Sequence, residues 1–133
     1  MKEEFTKKQF TYRGKTIDEL KTLNVREFSK LVKAKERRNI LRDFQKIEDF
    51  VNRSKVKLEK NKTIKTHDRD LVIVPHMIGW KIYIHSGNKF APIEITGEML
   101  GHKLGEFAPT RARIKHSKAG VGATKGSKHK SKK

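Results

Sequence analysis

The hydrophobic pattern of the chain changes period at Asn61, and that switch restricts the fold more than any other feature of the sequence. Before it, apolar residues recur at intervals of three and four. Val25, Phe28, Leu31 and Val32 share one helical face, and Ile40, Leu41, Phe44, Ile47 and Val51 repeat in the same way further on. No Gly or Pro interrupts residues 34–60, so the spacing predicts one long helix there. Thr16 with Glu19, and Asn24 with Glu27, have the spacing of reciprocal N-terminal caps and predict two helix starts ahead of it. After Asn61 the pattern becomes alternating or continuous. Residues 71–74 (LVIV) read as a buried strand stopped by Pro75, while residues 80–85 and 92–96 alternate as half-buried strands do. Residues 86–89 (SGNK) carry turn chemistry and predict a hairpin between the last two. Thr96 predicts a short helix through Leu100, which Gly101 ends. Helices first and strands after, in a chain of 133 residues with room for one core, predict an α+β fold: N-terminal helices packed on a small three-stranded sheet.

What such a fold meets is set by charge. Lys and Arg number 33 against 15 Asp and Glu, a net charge of +18. A compact body so charged repels itself, which points to a polyanion as its normal surrounding. A membrane surface fits poorly, because no apolar run reaches the length of a span and no basic helix carries a clean apolar face. The first residues (MKEEFTKK) lack the apolar core of a signal peptide, so export is not expected. The absence of Cys removes disulfides, thiolate nucleophiles and cysteine-ligated zinc. From Thr110 on there is no acidic residue and no apolar periodicity, while nine Lys and Arg lie among Gly, Ala and Ser. Such a tail is expected to gain order only on its partner. The organisation is therefore read as a flexible extension over 1–15, a helical region over 16–60, a sheet core with a short helix over 61–109, and a basic tail over 110–133.

Catalytic motifs are weak by comparison. His67, Asp68 and Asp70 are the most enzyme-like cluster, but neighbours on an extended segment project to opposite faces and do not form a dyad by default. The six histidines show no metal-ligand spacing. The stretch AGVGATKGSK fails the spacing of a phosphate-binding loop, so neither a metal nor any other cofactor is expected. The better reading of residues 65–69 is a loop gripping RNA through Lys65, Thr66, His67 and Arg69. Arg37, Arg38 and Arg42 cluster on the predicted long helix and suit phosphates as a group. Trp80 and Tyr83 fit packing beside a strand better than base stacking. A nuclease built on His67, Asp68 and Asp70 and a free chromatin-like protein remain the rival readings, the first requiring turnover and the second indifference between DNA and RNA.

Residues 87–111, GNKFAPIEITGEMLGHKLGEFAPTR, closely resemble the hallmark region of the small-subunit ribosomal protein nineteen family. The eleven residues 101–111 are the most specific part, and residues 65–87 resemble the portion that precedes it. Residues 10–20, the arginines at 37–42 and residues 115–124 resemble the archaeal and eukaryotic-cytosolic branch, so the likeness spans nearly the whole chain. The resemblance implies a non-enzymatic structural constituent of the small ribosomal subunit in the cytoplasm, bound in the head to the 3′ major domain of the small-subunit rRNA. It also implies small-subunit protein thirteen as a neighbour and a tail that reaches toward the decoding region, where tRNA is a possible contact. On its matching positions His102, Lys103, Arg111, Arg113, Lys115 and His116 would meet rRNA, with Gly105 allowing close backbone approach and His85, Asn88 and Lys89 next in order. Leu104 and Phe107 would anchor the segment to the core, and Glu106, a carboxylate beside a polyanion, would orient its neighbours.

Overall fold

The computed structural model describes residues 9–113, an α+β fold in which helices and a small sheet share one core. A short hairpin opens it. Strands β1 (Thr11–Tyr12) and β2 (Lys15–Thr16) pair antiparallel, and the turn residues Arg13 and Gly14 both take positive φ, 51° and 78°. That backbone twist matches the twist of the flanking strands and closes a two-residue turn. All of the hairpin but Thr16 lies in the stretch, residues 1–15, expected to be a flexible extension.

Thr16 ends β2 and caps α1 (Ile17–Thr22): its hydroxyl accepts from the Glu19 amide, and the Glu19 carboxylate accepts from the Thr16 amide at 2.9 Å. The Asn24 amide donates to Glu27 at 3.0 Å at the start of α2 (Val25–Ser29). The single long helix predicted over residues 34–60 is two helices, α3 (Ala34–Arg42) and α4 (Phe44–Glu59). Asp43 breaks them at φ −100° and ψ 21°. Asp is a poor interior residue because its short carboxylate competes for nearby amides, so it marks a boundary without Gly or Pro. Ile40 and Ile47 are both fully buried, whereas Leu41, placed on the same apolar face by spacing, is 52% exposed.

The sheet has three strands, as expected, but one strand comes from elsewhere. Its order is β3 (Ile64–Thr66), β4 (Lys81–His85), β5 (Phe90–Glu94), with β3 parallel to β4 and β4 antiparallel to β5. Ser86 to Lys89 form the hairpin turn, closed by the Ser86 amide on the Lys89 carbonyl at 2.8 Å with Gly87 at φ +100°. Leu71, Val72, Ile73 and Val74 are all buried yet stand outside the sheet. They cross behind it from β3 to β4, and Pro75 turns them into a 3-10 turn at Pro75–Met77. A fully apolar run of four cannot distinguish a central strand from a buried crossover, since both hide every side chain. The short helix after Thr96 is a 3-10 turn, Gly97–Met99, which Thr96 does not cap with its side chain and which Gly101 ends at φ +77°. The core joins Leu20, Phe28 and Ile47 of the helices to Ile82 and Ile84 of the sheet through Leu71, Ile73 and Leu104.

Candidate nucleic-acid interface

The segment GHKLG is held against the crossover by its backbone. Ile73 donates to the His102 carbonyl at 2.8 Å and accepts from Gly101 at 3.2 Å; Leu104 donates to Leu71 at 3.0 Å and Gly105 to Arg69 at 2.9 Å. Leu104 is fully buried, and Phe107 packs against the core while half exposed. Both glycines are explained by contacts within the protein. A Cβ on Gly105 would lie 2.9 Å from the Arg69 carbonyl oxygen, and one on Gly101 would lie 3.2 Å from the Tyr12 hydroxyl at a backbone φ that favours glycine.

Arg69 is the clasp of this arrangement. Its Nη1 donates to the His85 carbonyl at 2.7 Å, and its Nη2 donates to the carbonyls of Gly105, at 2.8 Å, and Ala108. One guanidinium thus ties the end of β4 to both ends of the 3-10 turn Leu104–Phe107. Those donors face carbonyls, so Arg69 supports the surface rather than offering all of its fork to a phosphate. Thr66 is also turned inward: it is buried, and its hydroxyl accepts from the Asp68 amide at 3.0 Å. Arg37 remains exposed but spends its Nε and Nη2 on the carbonyls of Ser29 and Lys30, both at 3.1 Å, capping the end of α2.

The groups left outside fall into two neighbouring sets. On the clasped loop, exposed His102 pairs through Nδ1 with Glu106 at 2.8 Å and meets the edge of Phe107 at 5.9 Å between ring centroids. The other Glu106 oxygen accepts from the Lys103 amide at 3.4 Å, so this carboxylate orients both neighbours. On the sheet, His67 stacks on His85 at 4.4 Å with the rings tilted by 30°, both rings meet Phe90 edge-on at 5.2 and 5.1 Å, and the Lys65 ammonium lies 5.4 Å from the centre of Phe90. Exposed Asn88 and Lys89 form the adjoining turn. Arg69 joins the two sets through the His85 and Gly105 carbonyls. Arg38 and Arg42 are exposed on α3, and no described hydrogen bond or ion pair connects them to either set. Arg111 and Arg113 are exposed; Lys115 and His116 lie outside the described residues.

The carboxylates of the enzyme-like cluster are engaged. Lys46 on α4 lies 3.2 Å from both Asp68 and Asp70. Its hydrogen bond holds the Asp70 carboxyl below the usual range against the opposing effect of burial. For Lys46, burial disfavours the charge, but the two carboxylates together outweigh it and raise the ammonium pKa. Among the described residues no group of three or more His, Asp or Glu side chains is placed to hold a metal.

With this geometry in view, residues 26–116 match the family described as Ribosomal protein S19. A Methanocella arvoryzae protein named small ribosomal subunit protein uS19 is 45% identical over 127 residues, spanning 92% of this chain and 86% of that protein. The chain belongs to the ribosomal protein S19 family. The match runs from α2 through the clasped loop, and its archaeal relative agrees with the archaeal type read from residues 10–20, 37–42 and 115–124. Within this S19 chain the sequence reading missed Phe90, which backs both histidines, and placed Lys46 with Arg37, Arg38, Arg42 and Arg53 on the basic surface of the long helix without its pairing to two acids. The only sequence signal for Phe90 was its place opposite His85 across the predicted hairpin; nothing in the spacing linked Lys46 to residues 68–70. Trp80 is half-buried against the core, in line with its packing role.

Proposed function

We propose that this S19-family chain, a structural constituent of the small ribosomal subunit that takes part in translation, binds small-subunit rRNA in the 3′ major domain that forms the head. Lys65, His67, His85, Asn88, Lys89, His102, Lys103, Arg111 and Arg113 form the surface that meets RNA, with Arg38 and Arg42 as a further set on α3. Arg37, Thr66, Arg69 and Gly105 act through the backbone they hold, and the basic tail that includes Lys115 and His116, outside the described residues, reaches toward the decoding region and tRNA. Small-subunit protein thirteen is the proposed protein neighbour, and the ribosome of the cytoplasm the place of work. No catalytic step is assigned.

The observation that carries this reading is the clasped loop. Residues 101–105 are fixed by four backbone hydrogen bonds and one half-buried guanidinium, yet leave His102 exposed and Lys103 half-exposed on a chain of net charge +18. A rigid loop that displays cations beside an aromatic corner positions a phosphate backbone without reading a base sequence. Crosslinking of intact small subunits through a photoreactive group at position 103, followed by mapping of the rRNA adducts, tests it. Adducts confined to the 3′ major domain are expected; adducts confined to another domain contradict the placement.

A further inference from the structure

A cleft of about 230 Å³ lies beside the histidine pair, between α4 and β3. Arg53 and Lys57, one turn apart on α4, Lys65 of β3 and His67 just after it line the cleft. Arg53 commits only its Nε, to the Asp49 carbonyl at 3.2 Å. The one carboxylate in the lining, Asp68, is paired with Lys46. Three cations therefore converge on the cleft with their local counter-charge already satisfied.

His67 belongs to both the cleft and the aromatic corner. It is exposed, while His85 and Phe90 are half-buried behind it, so the corner presents His67 as its outer ring. The Gly87 amide donates to His85 Nδ1 at 3.3 Å, which makes Nδ1 the acceptor and leaves the ring proton on Nε2. The corner thus combines a flat ring for stacking and an N–H donor with a basic notch that His67 also lines.

We propose that this corner takes one unpaired nucleotide of single-stranded RNA, with its base stacked on the His67–His85 pair and its phosphate among Arg53, Lys57 and Lys65. The site deepens the rRNA-binding reading and rests on it. Stacking on aromatic rings beside a cationic groove tolerates any base, because every base has a π face, but it requires a base free of its helix. A duplex, whose bases are stacked internally, cannot use the ring and engages only the cations.

The test uses the full-length protein with a single-stranded oligoadenylate of about ten nucleotides carrying an internal 2-aminopurine, an RNA duplex of the same length, and free adenosine monophosphate. His67→Ala is expected to weaken single-strand binding about tenfold and to abolish quenching of the 2-aminopurine, a loss several times larger than it causes for the duplex. His67→Phe restores both readouts. Arg53→Gln with Lys57→Gln weakens strand binding and flattens its salt dependence by about one to two phosphates while quenching persists at saturation. Unchanged single-strand affinity and quenching in His67→Ala overturns the nucleotide site, as does adenosine monophosphate binding as tightly as the strand. If the wild type also fails to co-sediment with small subunits, the rRNA reading beneath it has failed; if it co-sediments, only the nucleotide site has.

Discussion

Arg69 shows how much one side chain can be asked to hold. A guanidinium suits the task because its planar fork spreads donors over several acceptors at once, which an ammonium cannot do in the same geometry. Arg69→Ala would leave the His85, Gly105 and Ala108 carbonyls without their charged donor, and a loss of about 2–3 kcal/mol of unfolding free energy is expected in denaturant titration. Gly105→Ala should cost about 1–3 kcal/mol in the same assay, because the obstacle is the Arg69 backbone rather than a flexible tip. His76 adds a pH dependence. Burial, assisted by the Lys55 charge and opposed by Glu48, pushes its pKa below the ordinary 6.5, and its Nδ1 is buried without a hydrogen-bond partner among the described residues. A depressed folded-state pKa means that this contribution to stability is complete above pH 6.5 and is lost as pH falls from there toward the folded value. The melting temperature of the free protein should therefore fall more between pH 7.5 and pH 5 than that of His76→Gln, at roughly these screening values. Parallel pH profiles would show that His76 does not titrate in this way.

At the scale of elements, local chemistry was readable in the sequence and long-range assembly was not. Thr16 with Glu19 forms the cap that its spacing predicts, and Thr16→Ala should cost about 1 kcal/mol in thermal unfolding through loss of that cap. The 86–89 turn and the strands on either side of it were equally legible, since turn chemistry and alternation act over a few residues. The crossover at residues 71–74 was not, because its partner is a loop thirty residues on in the chain rather than a strand, and pairing of that kind leaves no period. β3 was missed for the related reason that three residues are too few to show alternation. The break at Asp43 had a signal, an Asp inside an apolar repeat, but a solvent-facing Asp in a continuous helix would look the same. In the candidate interface, residue types were legible and their direction was not. Lys65, His67 and His102 are exposed and His85 and Lys103 half-buried, while the Arg69 fork, Thr66 and Gly105 are engaged within the protein. Each had the right chemistry for RNA, and only the fold decides which way it is turned.

For the whole molecule, the charge of +18 and the small core belong together. A polyanion that binds only the folded form stabilises it by mass action, so the protein should melt at a higher temperature with rRNA than without. If roughly six to ten cations each neutralise a phosphate, affinity should fall by about three to five orders of magnitude between roughly 50 and 200 mM salt. A flat salt dependence would contradict the electrostatic account. The central claim is that the cations of the clasped loop and its exit, Lys103 and Arg111, hold the chain in the small subunit. Sedimentation of assembled particles with the Lys103→Ala and Arg111→Ala double variant tests this most directly. The account predicts wild-type protein at one copy per small subunit after a high-salt wash, and clearly reduced occupancy for the variant with an unchanged melting temperature of the free protein. Equal occupancy for the two would contradict it.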